Sequence, residues 1–108
     1  ATQFGWLSGY SPYHHVRAPT EPGRYPSVLV ETADHDTRVY WGHSTKFAAL
    51  LEEATGEEDP RVWFYRERDV GHGAGTPVSA LVHRYVRMYA FVEHALGVEP
   101  YRRPPPVP

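Results

Sequence analysis

Two short apolar runs and two longer stretches of helical periodicity divide the chain after residue 26. Residues 27–33, Ser-Val-Leu-Val-Glu-Thr-Ala, hold adjacent apolar and β-branched residues, which predicts a strand covered on both faces. Residues 41–55 place apolar side chains at helical spacing and end before Gly56, which predicts a helix. Residues 61–66, Arg-Val-Trp-Phe-Tyr-Arg, predict a second short strand.

The last periodic stretch predicts a long helix that begins at Pro77 and ends before Gly97. The Thr76 hydroxyl can accept a helix amide hydrogen bond, and proline at the first helical position loses no bond. A broad apolar stripe, which predicts deep burial, consists of Leu81, Tyr85, Met88, Val92 and Leu96, widened by Ala80, Val82, Val86, Tyr89 and Phe91. Residues 98–108, VEPYRRPPPVP, follow as a proline-rich tail.

Residues 1–26 are dense in glycine and proline, which predicts a short helical turn near residues 4–10 and otherwise connecting loop. The aromatic side chains expected to hold this segment against the body are Phe4, Trp6, Tyr10 and Tyr13. The order of elements is then β-α-β-α, with parallel strands and a right-handed crossover. Two strands covered on both faces do not make a stable α/β sheet alone, so the pattern predicts the last third of a doubly wound domain.

Composition narrows the class of protein. The 108 residues are 41% hydrophobic and suffice for one small domain. Eleven basic and 13 acidic residues give a net charge of −2, which argues against nucleic-acid or anionic-membrane partners. Cysteine is absent, which excludes disulfides and thiolate metal sites. No apolar run approaches the ~18 residues of a membrane span, so we expect a soluble protein. The first residue is Ala1, and we expect a processed product or a piece of a longer chain.

Candidate chemistry lies in the two loops that follow the predicted strands. The first loop carries Asp34, His35 and Asp36, and the second, "DVGHGAGTP", sets His72 among three glycines. Loops at the carboxyl ends of neighbouring parallel strands meet, so a carboxylate can reach an imidazole and orient it as a general base. Acidic residues also favour loops for structural reasons, and a histidine can simply fill a glycine turn.

Other readings of these residues have weaker support. The seven histidines are scattered, and His83 and His94, eleven residues apart, merely share a helical face, so we predict no metal site. The glycine loop lacks both the lysine of a phosphate-binding P-loop and the glycine register of dinucleotide folds. We therefore predict no cofactor.

Three segments together resemble a known family. "FGWLSGYSPYHHV", "YPSVLVETADHDTRVYWGHSTKFAALL" and "GHGAGTP", in this order, closely resemble the C-terminal part of the peptidase domain of the prolyl oligopeptidase family of serine peptidases. The resemblance implies an α/β-hydrolase fold, with residues 1–97 as its C-terminal segment. It implies that Asp36 is the triad aspartate and His72 the catalytic base. It further implies that Arg38 binds a substrate backbone carbonyl, that Val39 lines the adjacent pocket, and that a cytoplasmic location is favoured.

The nucleophile expected of this family is missing from the chain. Its serine lies in a Gly-x-Ser-x-Gly turn, whereas "GHSTK" at 42–46 ends in lysine and falls inside a predicted helix. We therefore expect the chain to supply the acid and base of a Ser-Asp-His triad for a peptide substrate. The partner would be an upstream part of the domain that carries the serine, and the isolated chain would be inactive. Alternatives are a non-catalytic interaction module and an esterase-type hydrolase on the same scaffold.

Overall fold

The computed structural model describes residues 2–17, 25–56, 61–73 and 76–98. The elements in chain order are α1 (Thr2–Tyr10), α2 (Pro12–His15), β1 (Val28–Ala33), α3 (Gly42–Thr55), β2 (Val62–Glu67) and α4 (Val78–Leu96). The predicted β-α-β-α order is confirmed. Most ends of these elements differ by one residue from the prediction, and the others coincide with it. The polar segment TGEEDP at 55–60 predicts a turn, and its residues 57–60 fall outside the described residues, as do the end of the glycine loop at 74–75 and the tail beyond Val98.

β1 and β2 pair in parallel, as the sequence predicts. Their register runs from Val28 opposite Val62 to Ala33 opposite Glu67, and the Val28 amide extends the ladder by donating to the Arg61 carbonyl at 2.7 Å. Parallel pairing sends both carboxyl ends to one edge of the sheet. The loops that begin at residues 34 and 68 therefore leave the same edge side by side.

The core of this part lies between α3 and the two strands. Ala33, Ala48 and Leu51 are buried there, and α3 contacts both β1 and β2. The strands themselves are only half-buried, and Phe64 and Tyr65 are exposed, so the predicted coverage on both faces is not seen. Within the compact unit of residues 1–75, α3 is the helix that contacts the strands, and one helix covers one face of a two-stranded ribbon.

The "GHSTK" segment forms the first turn of α3. Gly42 is buried, and a Cβ atom added to it would collide with the ring of Tyr40. Trp41 holds the N-cap position without a side-chain capping bond, and a loop rather than a strand precedes it. A serine nucleophile of the Gly-x-Ser-x-Gly type requires a sharp strand-to-helix turn, and Ser44 does not lie in one.

The helix α4 belongs to a second compact unit, which begins at Thr76. Pro77 is its N-cap, with its carbonyl accepting the Leu81 amide at 3.1 Å and no side-chain capping bond, so the helix begins one residue later than predicted. Gly97, with φ 65°, ends it as predicted. The expected deep burial is not seen, because no α4 side chain is buried within the described part of the chain.

The first segment forms two short helices rather than one helical turn and a loop. α1 covers the predicted turn, and α2 follows after Ser11 and contacts α3. The four aromatic side chains expected to hold this segment down are all exposed: Phe4, Trp6, Tyr10 and Tyr13. Their contacts are partly local, since the rings of Phe4 and Tyr13 both meet the His14 ring edge-on.

Candidate active site

The two loops at the carboxyl edge of the sheet are held together by backbone hydrogen bonds. Beyond the last paired residues, the Asp34 amide donates to the Glu67 carbonyl at 3.0 Å, and the His35 amide donates to the Val70 carbonyl at 3.2 Å. The ladder between the strands thus continues into the loops. This continuation brings the residues after position 35 close to those after position 70.

Asp36 and His72 meet just beyond these backbone hydrogen bonds. The distance between His72 Nδ1 and Asp36 Oδ2 is 2.7 Å, which is a short hydrogen bond. The carboxylate is sheltered, with 13% of its side chain exposed, whereas 43% of the His72 side chain is exposed. The imidazole therefore has one edge against the acid and the other available to a reactant.

The second oxygen of Asp36 is held by its own loop. The amides of Arg38 and Val39 both donate to Asp36 Oδ1, each at 2.9 Å. This is a local aspartate turn, in which the side chain accepts backbone N–H groups two and three residues later. The Val39 amide, the hydrogen bond to His72 and the Arg38 amide lower the pKa of Asp36 to about 2, against the opposing effect of burial.

These bonds determine which nitrogen of neutral His72 carries the proton. A carboxylate with a pKa of about 2 is ionised at neutral pH and can only accept hydrogen bonds. The close contact with Oδ2 therefore requires a proton on Nδ1. In the neutral ring Nε2 is then unprotonated, and it has no partner among the residues that the structure describes. Nε2 can accept a proton from a hydroxyl group, as a general base must.

The depressed pKa of Asp36 gives a testable pH dependence. Because the pKa is below the ordinary aspartate value of 3.8, the contribution of Asp36 to stability is present above that value. It is lost as the pH falls from about 5 through the folded pKa. We expect carbon-detected NMR of the Asp36 carboxyl group to show a midpoint near pH 2 in the folded chain and near 3.8 in urea. A folded-state midpoint near 3.8 would contradict the hydrogen bonding described above.

The glycines beside His72 have different roles. Gly73 has φ 95°, a conformation that side-chain-bearing residues rarely adopt, and its amide donates to the Gly71 carbonyl at 2.8 Å in a tight turn. A Cβ atom at Gly71 would lie 3.6 Å from the His35 carbonyl oxygen, an ordinary contact. The turn at Gly73 therefore explains why the histidine lies in a glycine-rich loop, whereas space alone does not require glycine at position 71.

The remaining predicted site residues contribute in a way that the sequence did not indicate. The Arg38 side chain is exposed and makes no hydrogen bond or ion pair within the described residues, and Val39 is 50% exposed. What both residues supply in the structure is a backbone amide to Asp36. The side chains are accessible from solvent, so a substrate can reach them.

Sequence reasoning missed a second contact between the loops. Asp34, to which the family resemblance assigns no role, accepts a hydrogen bond from the Asp69 amide at 2.9 Å through Oδ1. The two residues are 35 positions apart, so no local pattern indicates the contact. The sequence marks Asp34 only through its position, directly after a predicted strand and two residues before Asp36, and this position does not indicate its partner.

Residues 2–17, 25–56, 61–73 and 76–98 contain no group of three or more His, Cys, Asp or Glu side chains that could hold a metal ion. None of the helices in those ranges combines the length and apolar character needed to cross a membrane.

Comparison with known proteins identifies the family. A model described as the prolyl oligopeptidase family matches residues 1–99. The prolyl endopeptidases of Elizabethkingia miricola and Dictyostelium discoideum are 38% and 34% identical to this chain over 89% of its length, and the match covers 13% and 12% of their own lengths. A solved chain from a study of two prolyl endopeptidases superposes with a TM-score of 0.76 at 36% identity. It matches 91% of this chain and 14% of that one. The chain therefore belongs to the prolyl oligopeptidase family of peptidases.

Proposed function

We propose that this chain is the C-terminal segment of a serine peptidase domain and supplies the acid and base of its triad. The observation that carries the proposal is the 2.7 Å contact between Asp36 and His72 at the shared edge of two parallel strands. In this role Asp36 fixes the tautomer of His72 and stabilises the imidazolium ion. Nε2 of His72 takes the proton of a serine hydroxyl as it attacks the peptide carbonyl, and later delivers it to the leaving amine.

The rest of the domain would lie upstream and carry the serine. The chain covers about an eighth of its curated relatives, and β2 and α4 keep large apolar side chains exposed within the described residues. In an α/β-hydrolase, further strands and helices of a doubly wound sheet would cover these surfaces. We assign residues 1–97 to that domain and residues 98–108 to a tail beyond it.

The proposal of a peptide substrate is supported by the accessible side chains next to the pair. Arg38 is an exposed cation with several hydrogen-bond donors, suited to a peptide carbonyl, and the half-exposed Val39 beside it offers an apolar wall. The names of the relatives refer to prolyl endopeptidases. We therefore propose a peptide substrate. Cleavage of a peptide amide in preference to a matched ester would indicate a peptidase, and the opposite preference would indicate an esterase.

The isolated chain is expected to be inert toward a fluorophosphonate probe, because no serine lies within a nucleophile turn. The probe labels a serine only when a base activates it. Mass spectrometry after incubation should find the unmodified chain. Stoichiometric labelling at one serine would contradict the proposed division of the triad.

A hybrid enzyme tests the function directly. In it, this chain replaces the 96-residue matched segment of the Elizabethkingia miricola relative, which supplies the rest of the domain. The hybrid enzyme should hydrolyse peptides and accept the fluorophosphonate probe. A cooperative thermal transition would show that the hybrid is folded. A folded hybrid that neither hydrolyses peptides nor reacts with the probe would argue against the proposal.

A second candidate, a non-catalytic interaction module, is favoured by one observation. The exposed apolar residues of α4 include Val78, Val82, Tyr85, Val86, Tyr89, Val92 and Leu96. Exposed apolar patches of this kind mark interaction surfaces. Binding through this helix would survive substitution of Asp36 and His72, whereas peptide hydrolysis would not.

A further inference from the structure

The contact between Asp34 and Asp69 lies at the point where the second loop changes direction. Asp69 has φ 57°, in the left-handed region, which a residue other than glycine adopts only occasionally. Its amide points to Asp34 Oδ1 at 2.9 Å. The carboxylate of the first loop therefore holds the backbone of the second loop in an uncommon conformation, three residues before His72.

This contact lies between two backbone hydrogen bonds that also join the two loops, from Asp34 to Glu67 and from His35 to Val70. The Asp36–His72 bond joins the loops as well. Unlike the two backbone bonds, the bond to Asp69 uses a side chain, so it can be removed by substitution without touching Asp36 or His72. A hydrogen bond to a charged acceptor is also stronger than one between neutral groups.

We propose that Asp34 is a positioning residue that keeps His72 against Asp36 by holding the Asp69 amide. The proposal rests on the proposed function, since the position of His72 affects turnover only if His72 is the base. Without the carboxylate, the turn at Asp69 loses the partner of its amide, and the loop can relax to other conformations. Displacement of a base by about 1 Å can cost on the order of 100-fold in rate.

Three variants of the hybrid enzyme separate this role from general stability. Asp34→Ala should lower kcat about 10- to 100-fold and leave KM within about twofold, because the substrate-binding side chains stay in place. Asp34→Asn should stay within about threefold of the unsubstituted hybrid, because its amide oxygen can still accept the Asp69 N–H. Asp69→Asn is the matched control: it removes a carboxylate from the same turn and keeps the backbone amide, so we expect no change beyond about twofold.

NMR on the chain itself supplies a readout that does not depend on activity. Hydrogen exchange at the Asp69 amide should be at least about tenfold slower in the unsubstituted chain than in Asp34→Ala. In that variant, nitrogen shifts of His72 should show a larger share of the tautomer with the proton on Nε2. The same tautomer distribution in both chains would overturn the proposal.

The outcomes distinguish the two proposals. If the hybrid enzyme is active and Asp34→Ala keeps its kcat, the proposed role of Asp34 is contradicted but the proposed function is not. The same holds if Asp69→Asn lowers kcat as much as Asp34→Ala does. Full activity of a His72→Ala hybrid contradicts the proposed function instead. If Asp34→Ala does not fold, exchange at Asp69 in the unsubstituted chain decides, and exchange at the rate of an unbonded amide overturns the proposal.

Discussion

His72→Ala should lower kcat of the hybrid enzyme by about 10⁴-fold or more. The substitution removes Nε2, the group proposed to accept the serine proton and return it to the leaving amine. It keeps the side chains of Arg38 and Val39, which we propose to bind the peptide, so KM should change much less than kcat. Steady-state hydrolysis of a chromogenic peptide measures both constants.

The matched control for this variant is His35→Ala. His35 lies in the adjacent loop, its side chain is exposed, and its contact with the second loop uses the backbone amide, which alanine keeps. Its kcat should remain within about threefold of the unsubstituted hybrid. Wild-type turnover by His72→Ala, with the expected result for His35→Ala, would refute the assignment of the base.

Asp36→Asn should also lower kcat by about 10⁴-fold, through the tautomer of His72 rather than through loss of structure. The amides of Arg38 and Val39 both donate to Oδ1, so an oxygen must remain there. The NH2 group of asparagine then takes the position of Oδ2 and faces His72 Nδ1, which must become the acceptor. The proton of neutral His72 moves to Nε2, which can no longer act as a base.

Kinetics and structure together test this explanation. The Asp36→Asn hybrid should keep the thermal transition of the unsubstituted protein within a few degrees while kcat falls, because every donor to Oδ1 keeps its partner. Asp69→Asn, the same chemical change in the neighbouring loop, should leave kcat unaffected. A large fall in kcat together with His72 still protonated on Nδ1 would mean that Asp36 acts by another route.

Much of the site could be predicted because it depends on short-range pattern and topology. The apolar run at 27–33 and the aromatic run at 61–66 indicate strands, and the periodic segment between them indicates a crossover helix. Parallel pairing then sends both loops to one edge, where an acid and a histidine can meet. The chemical roles themselves came from the resemblance to the family and not from these patterns.

Other features could not be predicted because they depend on contacts between distant residues. The bond from Asp69 to Asp34 joins residues that only the strand register brings together. The sequence predicts more burial of β1, β2 and α4 than the structure shows. An apolar pattern indicates that a surface is suited to burial, but it does not indicate whether this chain contains the residues that bury it. Pro77 as the N-cap of α4 is a local detail at a helix boundary, where patterns are least informative.

The position of the proton on neutral His72 decides whether Asp36 orients this ring as a base. Long-range proton–nitrogen correlation spectra of the chain, at a pH where the ring is neutral, distinguish the two tautomers. We predict a proton on Nδ1, donated to Asp36, and an unprotonated Nε2. A neutral ring with its proton on Nε2 would contradict this prediction, because that nitrogen could not then accept a proton from serine.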